Sequence, residues 1–347
     1  MKANSSRITT LSIKRRRGKN EKCIFCKRRA FFCIVFPGRE WYIDFGKKGV
    51  VFAVMAEFEK IADEVYLLKI PFGPVWTGVI LIDGEKKILI DSGATGKDVD
   101  GILVPALEKR GLGVRDLDVL TCTHTHGDHV GGHKRLEELG VSCIAAFEGS
   151  VKKLHDPVFW AVKTRTRFPE YSPAPNTSLS PVRVDRSLKD GDILGGRLRL
   201  IHTPGHDDDC VCFLDEKTGV LFTGDSLQGN GTICQGVAFY KDLPAYERSL
   251  ICLKPLAVSA ILCGHDYAGI GALIRGKEAV QNALAYCEER VKIYREFIQK
   301  RKEKDPAALA EELIEKEGCG MPDKLFMALY TVTEHLKELE KETKING

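Results

Sequence analysis

The chain has 347 residues, room for one large domain with appendages or for two domains. Its apolar content of 44% is that of an ordinary globular protein and excludes a disordered or fibrous chain, and no apolar run approaches the roughly 20 residues that a membrane helix needs. The net charge of +4 is uneven: residues 1–54 hold fourteen Lys and Arg against three acids, +11, so the rest of the chain carries −7.

Residues 1–54 show no helical or strand period. They read as a basic, poorly ordered leader, either a loosely attached extension or an upstream stretch included through an early start codon. The charge would also permit a tether to nucleic acid or membrane. Cys23 and Cys26 form a CxxC pair with Cys33 nearby, but a structural zinc needs four ligands, and the leader has no histidine and no second pair. The remaining cysteines sit mostly in apolar contexts, such as Cys212, Cys252 and Cys263. They read as small buried hydrophobes in a reducing, cytoplasmic setting.

The sequence changes character at Met55. Strands are predicted at "EVYLLKIPFG" and "GVILIDGEKKILIDSG", with Asp83-Gly84 turning a hairpin between Val79–Ile82 and Lys87–Ile90. An amphipathic helix is predicted over Val99–Arg110, closed by Gly111. "VLTCTH" reads as a buried strand, "GGHKRLEELG" as a helix ended by Gly140, and "SCIAAF" as a strand. Residues 154–182 break the alternation with Trp160, Arg165, Arg167, Phe168, Tyr171 and several prolines, and read as a surface loop or a lid. Strands return at "GRLRLIH", "VCFLD" and "GVLFTGD". Two to three helices and a strand are then expected up to Cys263, followed by a long charged helix over Gly276–Lys304 and two more over Ala307–Glu317 and Asp323–Lys341. The alternation indicates a layered α/β fold, divided as leader 1–54, domain 55–275 and helical appendage 276–347.

The chemistry concentrates in "THTHGDHVGG", which sets His124, His126, Asp128 and His129 within six residues directly after a buried strand. Imidazole and carboxylate suit zinc and iron, and alternation along an extended chain aims His124 and His126 to one side. The turn at Gly127 lets Asp128 and His129 face a second ion. "HTPGH" supplies His206, "FTGD" supplies Asp225 and "LCGH" supplies His265, each after an apolar run, so all would gather at one rim of the sheets. His133 reads as a surface or supporting residue, His202 as a support near the site, and His155 and His335 as structural. Cys210 is not needed for the set. Tyr171, Tyr240 and Tyr267 are each able to donate to a substrate, though packing is the commoner role.

In these motifs the chain resembles the metallo-β-lactamase superfamily over about residues 62–270: Asp91 in "LIDSG", then "HTHGDH", His206, Asp225 and His265 in order. The resemblance implies an αββα sandwich. It places His124, His126 and His206 on one metal and Asp128, His129 and His265 on another, with Asp225 bridging. Asp91 would orient the ligand loop. "HTPGHDDD" is similar to the "HTPGHTDD" of the beta-lactamase-like protein two branch, which includes a single-strand endoribonuclease. "TVTEHLKELEKETKI" resembles the closing helix and strand of a small winged-helix appendage. Acids outnumber bases in 305–347, which argues against a nucleic-acid-binding wing and for packing or oligomerisation through these helices.

The expected function is therefore that of a dinuclear metal-dependent hydrolase with two divalent ions, zinc first and iron or manganese as alternatives. Such a centre yields a bridging hydroxide at neutral pH, oriented by Asp128 and Asp225, for attack on a small ester, thioester or lactone. The alternative is a single-strand endoribonuclease or phosphodiesterase, to which Arg165 and Arg167 would contribute. The 40 positions between Asp225 and His265 leave no room for the insertion of the RNA-processing β-CASP group. A flavin di-iron enzyme is disfavoured, because that class carries glutamate where His126 stands.

Overall fold

The computed structural model describes residues 56–302, 305–320 and 325–346, together with the backbone of five strands nearer the N-terminus. Those strands are β1 (Thr10–Ile13), β2 (Glu21–Cys26), β3 (Phe31–Phe36), β4 (Arg39–Gly46) and β5 (Gly49–Val54), paired in chain order as an antiparallel meander. They belong to a unit of their own, Met1–Glu57. The side chains of Cys23, Cys26 and Cys33 lie outside the described residues.

Phe58–Gly347 is the second unit. Its first sheet contains β6 (Glu59–Ala62), β7 (Val65–Phe72), β8 (Val75–Asp83) and β9 (Lys87–Ile90), all antiparallel. The sheet is completed by β10 (Val119–Thr121), which runs parallel to β9. The β8–β9 hairpin predicted at Asp83-Gly84 is present, with Asp83 opposite Lys87. Between β9 and β10 runs a helical stretch. It consists of α1 (Gly96–Asp98), a wider π turn at Val99–Leu103, and α2 (Val104–Lys109), which stops at Arg110 before Gly111. Next come α3 (Gly127–Val130) and α4 (His133–Leu139), the latter ended by Gly140 in the left-handed conformation. A small parallel pair joins β11 (Ala145–Phe147) to β12 (Arg186–Leu188). Between them lie α5 (Glu148–His155) and α6 (Pro157–Thr166).

The second sheet has the order β13 (Ile193–Leu194), β14 (Leu198–His202), β15 (Val211–Asp215), β16 (Val220–Gly224), β17 (Ala260–Tyr267), β18 (Gly271–Arg275). All of its pairings are antiparallel except β16 with β17. One helix rather than two or three separates β16 from β17: α7 (Leu243–Leu253), N-capped by Asp242. The chain closes with α8 (Lys277–Gln299), α9 (Pro306–Glu317) and α10 (Phe326–Asn346). The strand expected at the end of the chain is not formed. "TVTEHLKELEKETKI" is helical throughout, because its apolar positions recur at helical spacing and it carries no turn residue before Asn346.

Period-two alternation sets the layers. Ile80 and Ile82 of β8, with Ile88 and Ile90 of β9, meet Leu198, Leu200, Val211, Phe213 and Phe222 of the other sheet in one buried cluster. The opposite face of the second sheet, Ile201, Cys212, Leu214, Leu221 and Ile261, packs on residues of α7 to α10, among them Leu250, Leu284, Leu313 and Leu329. Strands β15 and β16 are consequently buried at every position, which accounts for their unbroken apolar reading. This is an αββα sandwich whose C-terminal helices share the core of the second sheet.

Candidate metal centre

All seven predicted ligands converge at one rim of the two sheets. His124 and His126 lie on the extended segment leaving β10, and Asp128 and His129 on the single turn of α3. His206 lies on the loop after β14, Asp225 just beyond β16, and His265 inside β17. Two glycines of the first motif, Gly131 and Gly132, are required by close approach. A Cβ on Gly131 would stand 1.8 Å from the Ala94 carbonyl oxygen, and one on Gly132 would stand 2.5 Å from that of Ser92. The "FTGD" glycine, Gly224, has φ +47°, and a Cβ there would meet Thr123 Oγ1 at 2.4 Å.

His124, His126 and His206 form one ligand group, Asp128, His129 and His265 a second, and His124, His129 and Asp225 a third that connects them. His206 Nε2 is 3.0 Å from His126 Nδ1, His129 Nε2 is 3.3 Å from His265 Nε2, and His265 Nε2 is 3.2 Å from Asp128 Oδ2. Asp225 reaches both groups, at 3.4 Å from His206 Nε2 and 3.3 Å from His129 Nε2. Two nitrogens bound tetrahedrally to one zinc ion stand about 3.4 Å apart, so these spacings suit ligands that share a cation.

The outer nitrogens decide which way each ring presents itself. His129 Nδ1 lies 2.8 Å from Asp91 Oδ2, His206 Nδ1 2.9 Å from the Phe239 carbonyl oxygen, and His265 Nδ1 2.6 Å from that of Trp76. His124 Nδ1 lies 3.2 Å from Thr123 Oγ1, whose hydroxyl is given to Asp91. Each of these four rings donates outward and turns Nε2 inward. His126 is reversed: its Nε2 lies 2.9 Å from Asp207 Oδ2, and its Nδ1 turns inward. Outward acceptors that fix the tautomer are what metal-binding imidazoles need. His124 Nε2 and Asp225 Oδ1 are buried and make no hydrogen bond. Orphaned polar atoms of that kind are rare without an unseen partner, and a divalent cation fits them.

Burial disfavours the His129 and His265 cations, yet the carboxylates of Asp225 and Asp128 outweigh it. The His129 pKa stands well above its usual range, and that of His265 is pushed up to about 10. The carboxyls of Asp128 and Asp225 are held below their ordinary range; burial opposes this, and the neighbouring imidazolium charges prevail. His206 is driven down to about 3 by burial and by the charge of His126. The Asp128 and Asp225 carboxylates thus favour positive charge beside them.

Asp91 occupies the supporting position expected of it. Its φ of +65° is uncommon for a residue with a side chain. It is held by the Thr123 N–H at 2.8 Å, the Thr123 hydroxyl at 2.9 Å and His129. His133 is not a surface residue: it is buried with Nδ1 2.7 Å from Ser92 Oγ, behind the ligand loop. His202 stacks on Phe147 and reaches the Asp208 carbonyl. His155 is exposed, and His335 is buried against Tyr240. Tyr240 and Tyr267 are fully buried in packing, and Tyr171 packs on the core; Tyr330, which the sequence did not single out, is the tyrosine on the cavity. Asp207, Lys153 and Lys241 were missed as well. Lys153 is buried among Asp207, Asp208 and Asp209, and Lys241 holds Asp207. The acidic run after His206 was the visible signal.

A cavity of 740 Å³ opens onto His126 and Asp128, walled by Phe72, Trp160, Leu179 and Tyr330. Residues 154–182, read as a loop or a lid, contribute α6 to this wall. Pro157 occupies its first turn and Asp156 caps it, accepting from the Phe159 N–H.

The metallo-beta-lactamase superfamily matches residues 70–265. A beta-lactamase-like protein 2 homolog of Drosophila melanogaster is 30% identical over 273 residues, 77% of this chain and 82% of that protein. An atrochrysone carboxyl ACP thioesterase of Aspergillus fumigatus is 25% identical over 247 residues, 70% of this chain and 62% of that protein. Among solved structures, a metallo-beta-lactamase family protein of Thermus thermophilus superposes with a TM-score of 0.64 at 23% identity, over 82% of this chain and 95% of that one. The chain belongs to the metallo-β-lactamase superfamily of hydrolases.

Proposed function

We propose that the chain is a dinuclear metal-dependent hydrolase of a small ester, thioester or lactone, with zinc as the first candidate metal. The observation that carries this reading is the inward turn of five imidazoles around Asp225, with His124 Nε2 and Asp225 Oδ1 buried and unpartnered. His124, His126 and His206 would hold one ion, Asp128, His129 and His265 the other, and Asp225 both. When bound, the ions would supply a hydroxide at neutral pH and a Lewis-acid contact for the substrate oxygen. Asp128 and Asp225 orient the attacking group, and Asp91 and Asp207 hold two of the rings. The thioesterase name of the fungal relative brings the thioester forward among these substrates. The nine described cysteines are free of disulfides, which supports a reducing, cytoplasmic setting.

Chelation is expected to abolish hydrolysis of thioesters, esters or lactones, and added metal to restore it, with no covalent acyl-enzyme seen by mass spectrometry. Trapping an acyl-enzyme would overturn the mechanism. Cleavage of single-stranded RNA much faster than of any acyl substrate would replace the reading by an endoribonuclease.

A further inference from the structure

Five cationic side chains line the cavity: Lys153, Lys163, Arg165, Arg167 and Lys241. Lys153 and Lys241 are neutralised by the acidic run from Asp207 to Asp209. Arg167 pairs with Glu334 at 3.2 Å. Lys163 is exposed, 4.4 Å from the centroid of the Trp160 ring. Arg165 stands apart. Its Nη1 donates to the Ala161 carbonyl one turn back in α6, its Nε is buried without a hydrogen-bond partner, and among the described residues no carboxylate forms an ion pair with it. Burial disfavours its charge, against which Asp128 and Tyr330 act, and on the proposed function Asp128 is committed to a metal ion. A guanidinium remains charged at any physiological pH, and a partly desolvated charge without a counter-ion is costly.

We propose that Arg165 is the receptor for an anionic group of the substrate, a carboxylate or phosphate borne on the acyl compound away from the bond that is cleaved. This rests on the hydrolase reading above and narrows its substrate class to anionic acyl compounds. The guanidinium is well placed for this. It lies 5.6 Å from the Phe326 ring, and the turn beside it is fixed by the Tyr330 hydroxyl, which donates to the Thr164 carbonyl at 2.7 Å. A held planar fork matches two oxygens of a carboxylate or phosphate, which a lysine cannot do. Trp160 and Tyr330 would flank the chain that joins the anion to the acyl carbon.

The test uses the metal-loaded full chain and three thioesters of one thiol, whose straight acyl chains end in a methyl, a carboxylate or a phosphate group. Wild type is expected to favour one of the anionic compounds over the methyl one by at least about tenfold in kcat/KM, and the better of the two arms identifies the anion. In Arg165→Gln that ratio falls toward one through a raised KM, and Arg165→Lys recovers part of it. An unchanged ratio, or an equal loss on all three substrates, overturns the proposal. If none of the three is hydrolysed, the thioester arm of the proposed function fails separately. The receptor is then tested by calorimetric titration of adipate and inorganic phosphate: weaker binding to Arg165→Gln supports it, and equal affinity overturns it.

Discussion

The His126 ring faces the centre through Nδ1 because Asp207 takes its other nitrogen, and Asp207 is itself held by Lys153 at 2.8 Å and by Lys241. Phe239, His124 and His206 pack against the ring, but a carboxylate on Nε2 is what assigns the proton to that nitrogen and leaves Nδ1 for the centre. Asp207→Ala is therefore expected to weaken divalent-metal affinity about 10- to 100-fold, read by competition with a chromophoric chelator. Unaltered affinity would show that the carboxylate does not position the ring. The seven candidate ligands were legible because the motifs that carry them, "HTHGDH", "HTPGH", "FTGD" and "LCGH", each follow or close an apolar run, a local signal. Asp207 was not, since its role depends on a ring 81 positions away. Lys153 escaped for the same reason: a lysine on a short helix reads as solvated until the fold delivers three carboxylates to it.

Helix α6 owes its place over the cavity to α10, through the Tyr330–Thr164 hydrogen bond and the Arg167–Glu334 ion pair. The prolines of 154–182 obscured α6, although one of them opens it; propensity alone does not separate a proline that starts a helix from one that stops it. The same docking buries His335 of α10, whose Nε2 meets the Tyr240 hydroxyl at 2.7 Å. Burial and the nearby Arg295 charge push its pKa down to about 3, against about 6.5 in an unfolded chain. As pH falls from about 6.5 toward 3, the unfolded state takes up a proton that the folded state refuses, so stability is lost over that window. The melting temperature of His335→Gln should decline less steeply between pH 6.5 and 4.5 than that of wild type. Parallel curves would contradict the buried neutral histidine.

At the scale of the molecule, the four layers follow from alternation within the strands, which was readable, and from the helices that cover the outer faces of the sheets. The C-terminal helices were readable as helices, but their docking into the core of the second sheet was not, because nothing local says which surface an amphipathic helix covers. Phe58–Gly347 holds the whole set of candidate ligands and the buried clusters on both faces of the second sheet. We therefore expect a chain starting at Met55 to keep its melting temperature, metal content and small-substrate turnover; insolubility or loss of most turnover would make residues 1–54 part of the working fold. Stoichiometric reconstitution decides whether the site holds two metals. Metal-free protein titrated with zinc should bind two ions per chain, with hydrolysis rising in step, and His126→Ala or Asp225→Ala should lower both together. Full activity at trace metal content, or in the presence of excess chelator, would contradict it.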